Sequence, residues 1–295
     1  MNDFTGRVVV VTGASTGIGL AAATAFARGH ARVALVARDS ARLEQALSAV
    51  RESAAAGADA VTAFPADFTR FDDVRSLATA LGRAYPRIDV LANNAGGAYA
   101  KRATTADGLE QTIQTNHLSP FLLTNLLLPR LIENAADASV RVVSTASMAN
   151  LFGRLRLDDV DWQKRAWLGG WRAYGSAKLA NILFIRELAE RATGTGIEAF
   201  SFHPGTVVTS FGATSPLIRF GNLVTGGRYG ISAERGAMPL VALAGPAPVG
   251  APSGTYFDRM TPNGKVSARA RDPQLARDLW ALSARLVGLP PAPAA

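Results

Sequence analysis

The sequence predicts an α/β fold, a doubly wound parallel sheet with helices on both faces, and two observations carry that expectation. Short apolar runs recur at 7–12, 32–37, 60–64, 88–93, 140–144 and 198–202. Their apolar character is continuous rather than alternating, as expected of strands buried on both faces. Between them, 19–28, 41–55, 71–84, 105–134 and 173–193 carry a helical period. Asp39 and Ser40 offer an N-cap to the second helix, and Gly29 and Gly57 punctuate helix ends. Strand–helix alternation sustained over this length implies right-handed crossovers in one sheet. A turn-rich loop at 246–252 precedes a last strand at 254–257.

The 295 residues contain no internal repeat and no long linker, so a single domain spanning 1–295 is expected, with 290–295 a frayed tail. The chain is 48% hydrophobic and 18% charged, an ordinary balance for a large buried core. It has no cysteine, which excludes disulfides and thiolate chemistry. His30, His117 and His203 are far apart in sequence, and no metal site is expected. The net charge is +8, yet basic residues are scattered without runs or aromatic interleaving, which argues against nucleic-acid binding. Lys101, Lys164, Lys178 and Lys265 are the only lysines among 31 basic residues, a bias of composition rather than a patterned surface. The most apolar stretch, 118–132, is interrupted by Pro120, Asn125, Pro129 and Arg130 and is too short to span a bilayer. The first residues lead straight into a strand, so no signal peptide and a cytoplasmic location are expected.

The strand at 7–12 runs into Gly13-Ala14-Ser15-Thr16-Gly17-Ile18-Gly19 and then a helix. Glycines there allow a tight turn and close approach to a diphosphate, while the helix N-terminus offers oriented N–H donors. This is the Rossmann-type arrangement, although the Gly-x3-Gly-x-Gly spacing differs from the general form; a packing turn without ligand is the alternative. At the end of the second strand, Ala37 stands where an acid would hold an adenosine ribose diol, and Arg38 follows. A planar cation suits a 2′-phosphate, which favours NADP(H) over NAD(H). The alternative leaves Arg38 solvated at the start of the helix, with Asp39 turned inward.

Tyr174 and Lys178 sit four residues apart on a predicted helix, hence on one face and one turn apart. A phenol is too weak an acid at neutral pH, and a neighbouring ammonium lowers its pKa. Such a pair can exchange a proton with a carbonyl oxygen while hydride moves at carbon. Alone, the spacing also fits an unremarkable amphipathic helix.

Several further segments occur in a telling order: Thr12-Gly13-x3-Gly17-Ile18-Gly19, Asn93-Asn94-Ala95-Gly96, Asn116, Ser147, Tyr174-x3-Lys178 and Pro204-Gly205. Together they resemble the short-chain dehydrogenase/reductase family over roughly 7–209. Thr115-Asn116-His117-Leu118, Trp171-Arg172-Ala173-Tyr174, Lys178-Leu179-Ala180-Asn181 and His203-Pro204-Gly205-Thr206 are most similar to its retinol dehydrogenase-like branch. The resemblance implies an oxidoreductase acting between NADP(H) and a carbonyl or alcohol. In it Tyr174 is general acid and base, and Lys178 lowers its pKa and binds the nicotinamide ribose. Ser147 donates to the substrate oxygen. Asn116 either holds a water in a proton relay or is a polar helix residue. Ala146 departs from the family pattern, where a second serine is common, and Ser144 remains a rival to Ser147. Asp67, with Phe68 beside it, resembles the adenine-contacting aspartate, or else caps the next helix. Asn94, Ala95 and Gly96 line the adenosine side, or brace the sheet. Pro204, Gly205, Val207 and Thr209 meet the nicotinamide, or form an ordinary turn. The family also implies a homodimer or homotetramer.

An insert at 148–172 contains Asp158, Asp159 and Asp161, expected to be solvated, and Trp162, Trp167 and Trp171, expected to pack it onto the body. A loop at 206–235, rich in apolar residues, reads as a substrate lid and suggests a lipophilic substrate; a subunit or membrane-surface contact is the competing reading. A catalytically silent NADP(H)-binding regulatory protein is the alternative to the enzyme, and a nucleotide-sugar epimerase or dehydratase is disfavoured by the glycine spacing and short tail. Arg38→Asp is expected to weaken NADPH binding far more than NADH binding in fluorescence titrations; equal losses would contradict the phosphate assignment.

Overall fold

The computed structural model describes residues 3–38, 40–207 and 230–290. Strands β1 (Val8–Thr12), β2 (Arg32–Ala37), β3 (Val61–Pro65), β4 (Val90–Asn93), β5 (Val140–Thr145), β6 (Ile197–His203), β7 (Tyr256–Asp258) and β8 (Thr261–Pro262) form one sheet in the order β3-β2-β1-β4-β5-β6-β7-β8. Every pairing is parallel except that of β7 with β8, a two-residue edge strand that the sequence reading does not anticipate. All five residues of β1 and all six of β5 are buried, as doubly covered strands require. The winding reverses between β1 and β4, which opens a crevice at the carboxyl ends of these strands.

The helices are α1 (Gly17–Arg28), α2 (Ser40–Glu52), α3 (Phe71–Ala84), α4 (Gln111–Ile113), α5 (Ser119–Ala135), α6 (Trp171–Arg191), α7 (Ala233–Ala244) and α8 (Pro273–Leu286). One face of the sheet buries Phe26 of α1, Leu43 and Leu47 of α2 and Leu240 of α7 against Val9, Val11 and Phe200. The other buries Leu77 of α3, Leu122 of α5, Leu183 of α6 and Leu279 of α8 against Val10, Leu91 and Val142. Two helices, α7 and α8, lie where the sequence reading places none. Arg141 of β5 is buried and ties β5 to β6 and α7: it bonds Glu198, the Leu243 carbonyl at 3.0 Å and the Ala247 carbonyl at 3.0 Å. Those carbonyls lie at and just beyond the carboxyl end of α7, where a cation is favourable.

The continuous helix expected over 105–134 is instead three pieces, and the physical reasons are local. Thr104 pairs with Glu110 across a turn in which Gly108 has φ +78°, so the chain doubles back before the helix starts. Asp107 in that turn accepts the Phe71 N–H at the start of α3 at 2.9 Å, and Glu110 accepts those of Thr112 and Ile113. A π turn, Gln114–Leu118, then joins α4 to α5. Within it the Asn116 side-chain amide donates to the Thr112 carbonyl at 2.8 Å, occupying an acceptor of the ordinary i−4 ladder and letting the backbone slip wider. Pro129 is accommodated inside α5.

His117 of the π turn sits in an aromatic cluster with Phe121, Phe184 and Trp280, the last two rings lying 5.4 and 4.9 Å from Phe121. Burial lowers its pKa to about 4, with only a small opposing influence from Asn181. Its folded pKa lies below the unfolded value near 6.5, so the unfolded chain binds the proton more readily between about pH 6.5 and 4. Stability from this group is therefore present above that window and lost as pH falls through it. The urea midpoint of wild type should fall across this window more steeply than that of His117→Phe, by roughly 3 kcal/mol at most in stability; parallel slopes would show that His117 does not titrate as described.

Candidate active site

The glycine turn, Asn94 to Gly96, Ser147 and Pro204–Gly205 follow the carboxyl ends of β1, β4, β5 and β6. Gly13 and Gly17 have φ of +67° and +57°, which glycine adopts without strain. A Cβ at Gly19 would lie 2.2 Å from the Gly13 carbonyl oxygen and 2.6 Å from Asn94 Nδ2, so the turn closes only around glycine. The α1 N-terminus has Thr16 at its cap with no side-chain capping bond and no acid in its first turn. Its first N–H groups, at the turn that runs through Ser15, Thr16 and Ile18, are thus open to an anion, which fits a dinucleotide diphosphate. Arg38 is exposed at the end of β2.

Other predicted cofactor contacts have more specific roles than expected. Asp67 is not the cap of α3, whose N-cap is Arg70. Instead its Oδ1 accepts from the Thr69 N–H and hydroxyl at 2.9 Å each, while its own N–H donates to Asp73. The Phe68 ring is buried in the core and its carbonyl accepts from Ser119, so only its main chain could meet a base. The Asn94 side chain braces the strand ends: Nδ2 donates to the Thr12 carbonyl at 3.0 Å and Oδ1 accepts from the Thr145 hydroxyl at 3.2 Å. The Thr12 hydroxyl gathers the same turn, donating to Ala92 and accepting from the N–H groups of Asn94 and Ala95. That bracing role belongs to a residue the sequence shows only as part of a motif. Pro204 and Gly205 follow β6, and Val207 bridges to Ile231 and packs near Ile18 and Gly236. Thr209 and most of the expected 206–235 lid lie outside the described residues, as do Asp39 and the end of the tail.

Tyr174 and Lys178 lie on α6, both buried, with Lys178 Nζ 5.5 Å from the centre of the Tyr174 ring. The phenol shares a hydrogen bond with Ser147. Ser147 caps a short 3-10 turn by accepting the Ala149 N–H at 3.1 Å, which leaves its hydroxyl proton to be donated. Ser144 is buried inside β5, paired in register with Ser201, so Ser147 is the serine presented to the phenol. Lys178 Nζ donates to the Thr145 carbonyl at 2.9 Å, a partner that sequence spacing does not reveal. Asn116 Nδ2 donates to the Gly97 carbonyl at 2.8 Å and Oδ1 accepts the Gly97 N–H at 3.2 Å. Its amide thereby clamps the 96–97 turn. A Cβ at Gly96 would lie 2.3 Å from Asn116 Oδ1 and 3.6 Å from Lys178 Nζ, so this turn brings the π turn and the lysine together.

The electrostatics of the protein alone differ from the simple expectation. Burial raises the Tyr174 phenol well above its ordinary value, and the Ser147 hydrogen bond only partly opposes it. Burial also lowers Lys178 to about 7. Desolvation is the largest influence on both groups, so burial opposes the depression of the phenol that the Tyr174–Lys178 spacing implies.

In the insert Asp158 is exposed as expected, whereas Asp159 departs from the expectation of solvated acids. Asp159 is buried and bonds Arg165 at 2.6 Å, and the Arg165 guanidinium stacks 3.7 Å above the Trp162 ring. Trp167 donates to the Ala100 carbonyl at 2.8 Å, packing the insert onto the body as expected. Trp171 does not pack that way: it is 45% exposed and meets Tyr174 edge-on at 6.0 Å. Phe152 and Leu168 in the same insert are 71% and 73% exposed.

Comparison with known proteins agrees with this geometry. The family model described as short chain dehydrogenase matches residues 7–158. The chain is 42% identical over 288 residues to the provisionally named daunorubicin C-13 ketoreductase DnrU of Streptomyces sp. (strain C5), covering 96% of this chain and 93% of that protein. It is 36% identical to human retinol dehydrogenase 13, covering 96% and 85%. Among solved structures, the Pseudomonas aeruginosa RhlG/NADP active-site complex superposes with a TM-score of 0.69 at 27% identity, covering 87% of this chain and 95% of that one. Motif order, sheet topology and these likenesses agree: the chain belongs to the short-chain dehydrogenase/reductase family, on its retinol dehydrogenase-like branch.

Proposed function

We propose that this protein is an NADP(H)-dependent oxidoreductase that transfers hydride between the nicotinamide and the carbonyl or alcohol of a lipophilic molecule, with Tyr174 as general acid and base. The observation that carries the reading is the buried Tyr174 phenol, hydrogen-bonded to Ser147 and one helical turn from Lys178, beside a glycine cradle fit for a diphosphate. Arg38, exposed at the end of β2, supports the phosphorylated cofactor, and the relative solved with NADP is consistent with it.

In the reductive direction the substrate oxygen accepts hydrogen bonds from Ser147 and Tyr174. Negative charge develops on that oxygen as the carbonyl carbon is reduced, and the Tyr174 proton neutralises it. The phenolate left behind is stabilised by Lys178 in its protonated form, held by the Thr145 carbonyl. A dinucleotide held at the glycine turn would supply or take up the hydride, and its negative charge would favour that protonated lysine over the value near 7 that burial imposes. Oxidation runs the same steps backward, with Tyr174 removing the hydroxyl proton.

The substrate side is apolar. Trp171 meets Tyr174 edge-on, and Phe152 and Leu168 of the same insert are exposed, which supports a large hydrophobic carbonyl compound as substrate. The names of the relatives, a ketoreductase for daunorubicin and a retinol dehydrogenase, support a carbonyl or alcohol as the substrate. Tyr174→Phe is expected to cut NADPH-dependent reduction of a panel of hydrophobic aldehydes and ketones by roughly a hundredfold or more while leaving NADPH affinity intact. Turnover unchanged in that variant would remove Tyr174 from the chemistry.

A further inference from the structure

A buried polar chain runs from the last helix to the active-site lysine, and apolar packing does not require it. His117 follows Asn116 in the π turn, and Asn181 follows Lys178 by one turn of α6. The His117 Nε2 lies 2.9 Å from Ser283 Oγ on α8. The Asn181 side chain also acts on the imidazole. Asn181 Nδ2 reaches the Thr145 carbonyl at 3.4 Å, the same oxygen that accepts from Lys178 Nζ at 2.9 Å. His117, Asn181 and Ser283 are all buried.

The donors and acceptors along this chain are complementary. His117 Nδ1 and Asn181 Oδ1 are both buried without a hydrogen bond at full geometry, and each is what the other lacks. With the proton on Nδ1 aimed at Asn181 Oδ1, Nε2 accepts the Ser283 hydroxyl, which sets the imidazole tautomer. The amide orientation follows, oxygen toward the imidazole and NH2 toward Thr145. A buried polar network of this kind is costly unless its members satisfy one another, and when they do it holds its end groups rigidly.

We propose that Ser283, His117 and Asn181 are positioning residues that hold the Thr145 carbonyl and, through it, Lys178, so that α8 is part of the active-site apparatus. The proposal rests on the Tyr174–Lys178 reading above, but its effect on the lysine can be measured without turnover. Titratable groups facing the pair are found among the described residues. Tyr256 of β7 acts on Tyr174, with Asp258 beside it, and His117 is held neutral by burial. The Glu187–Arg191 pair lies further along α6.

With only Lys101, Lys164, Lys178 and Lys265 in the chain, [ε-13C]lysine labelling yields a spectrum in which Lys178 is assigned by its absence from Lys178→Arg. The Lys178 signal should titrate near 7 in the wild-type protein. In Asn181→Leu and in Ser283→Ala the carbonyl loses its alignment, burial prevails, and the midpoint should fall by about half a unit or more. Turnover should drop several-fold in both variants with NADPH affinity retained, a kcat effect without a binding effect. Ser283→Ala removes one hydroxyl and decides the matter if Asn181→Leu does not fold. Lys178 midpoints equal to wild type in folded variants would overturn the proposal. Absence of any turnover by the wild-type protein would instead overturn the oxidoreductase reading, and the lysine titration would still judge the positioning chain.

Discussion

The candidate active site is organised around an amine that the fold takes out of water. Lys178 is only 3% exposed, and the Thr145 carbonyl is its close protein acceptor among the described residues. A buried lysine gives up its proton unless something nearby favours the charged form. On the proposed reading, the same burial makes the lysine responsive to an anionic dinucleotide, whose binding would favour the ammonium that a phenolate needs.

The architecture explains why these groups meet. Parallel strands covered on both faces leave only their ends open, and the reversal between β1 and β4 opens a crevice at the carboxyl ends. The glycine cradle follows β1, Asn94 follows β4 and Thr145 ends β5, so adjacent strands deliver cradle, brace and acceptor side by side. The π turn then lowers Asn116 onto Gly97 while Gly96 stays bare enough for Lys178 to approach. A side chain at Gly96 or Gly19 would collide with these partners, which is why two glycines far apart in sequence serve one pocket.

Much of this is legible in the amino-acid sequence, for identifiable reasons. β2 and α3 have the boundaries their apolar patterns imply, because both are set by burial, a property of local sequence. The Tyr174–Lys178 pair is legible because four residues on a helix fix its geometry. Thr145 is not, because its part is played by a backbone carbonyl, which carries no residue signature. The break before α5 is hidden for a related reason: Asp107 and Glu110 act by capping, and Asn116 by competing with the backbone, while the apolar period runs on. Asp159 reads as a surface acid until Arg165, six residues later, is seen folded over it. The pKa directions of Tyr174 and Lys178 depend on how completely both are buried, which a spacing argument omits.

The central claim is that, with dinucleotide bound, a protonated Lys178 brings the Tyr174 phenol into the range where it can exchange protons. Measuring kcat/KM for oxidation of a hydrophobic secondary alcohol by NADP+ across pH tests it directly. The account predicts an ascending limb with a midpoint well below the ordinary phenol value of about 10. A profile that is flat, or that rises only at or above about pH 10, would contradict it.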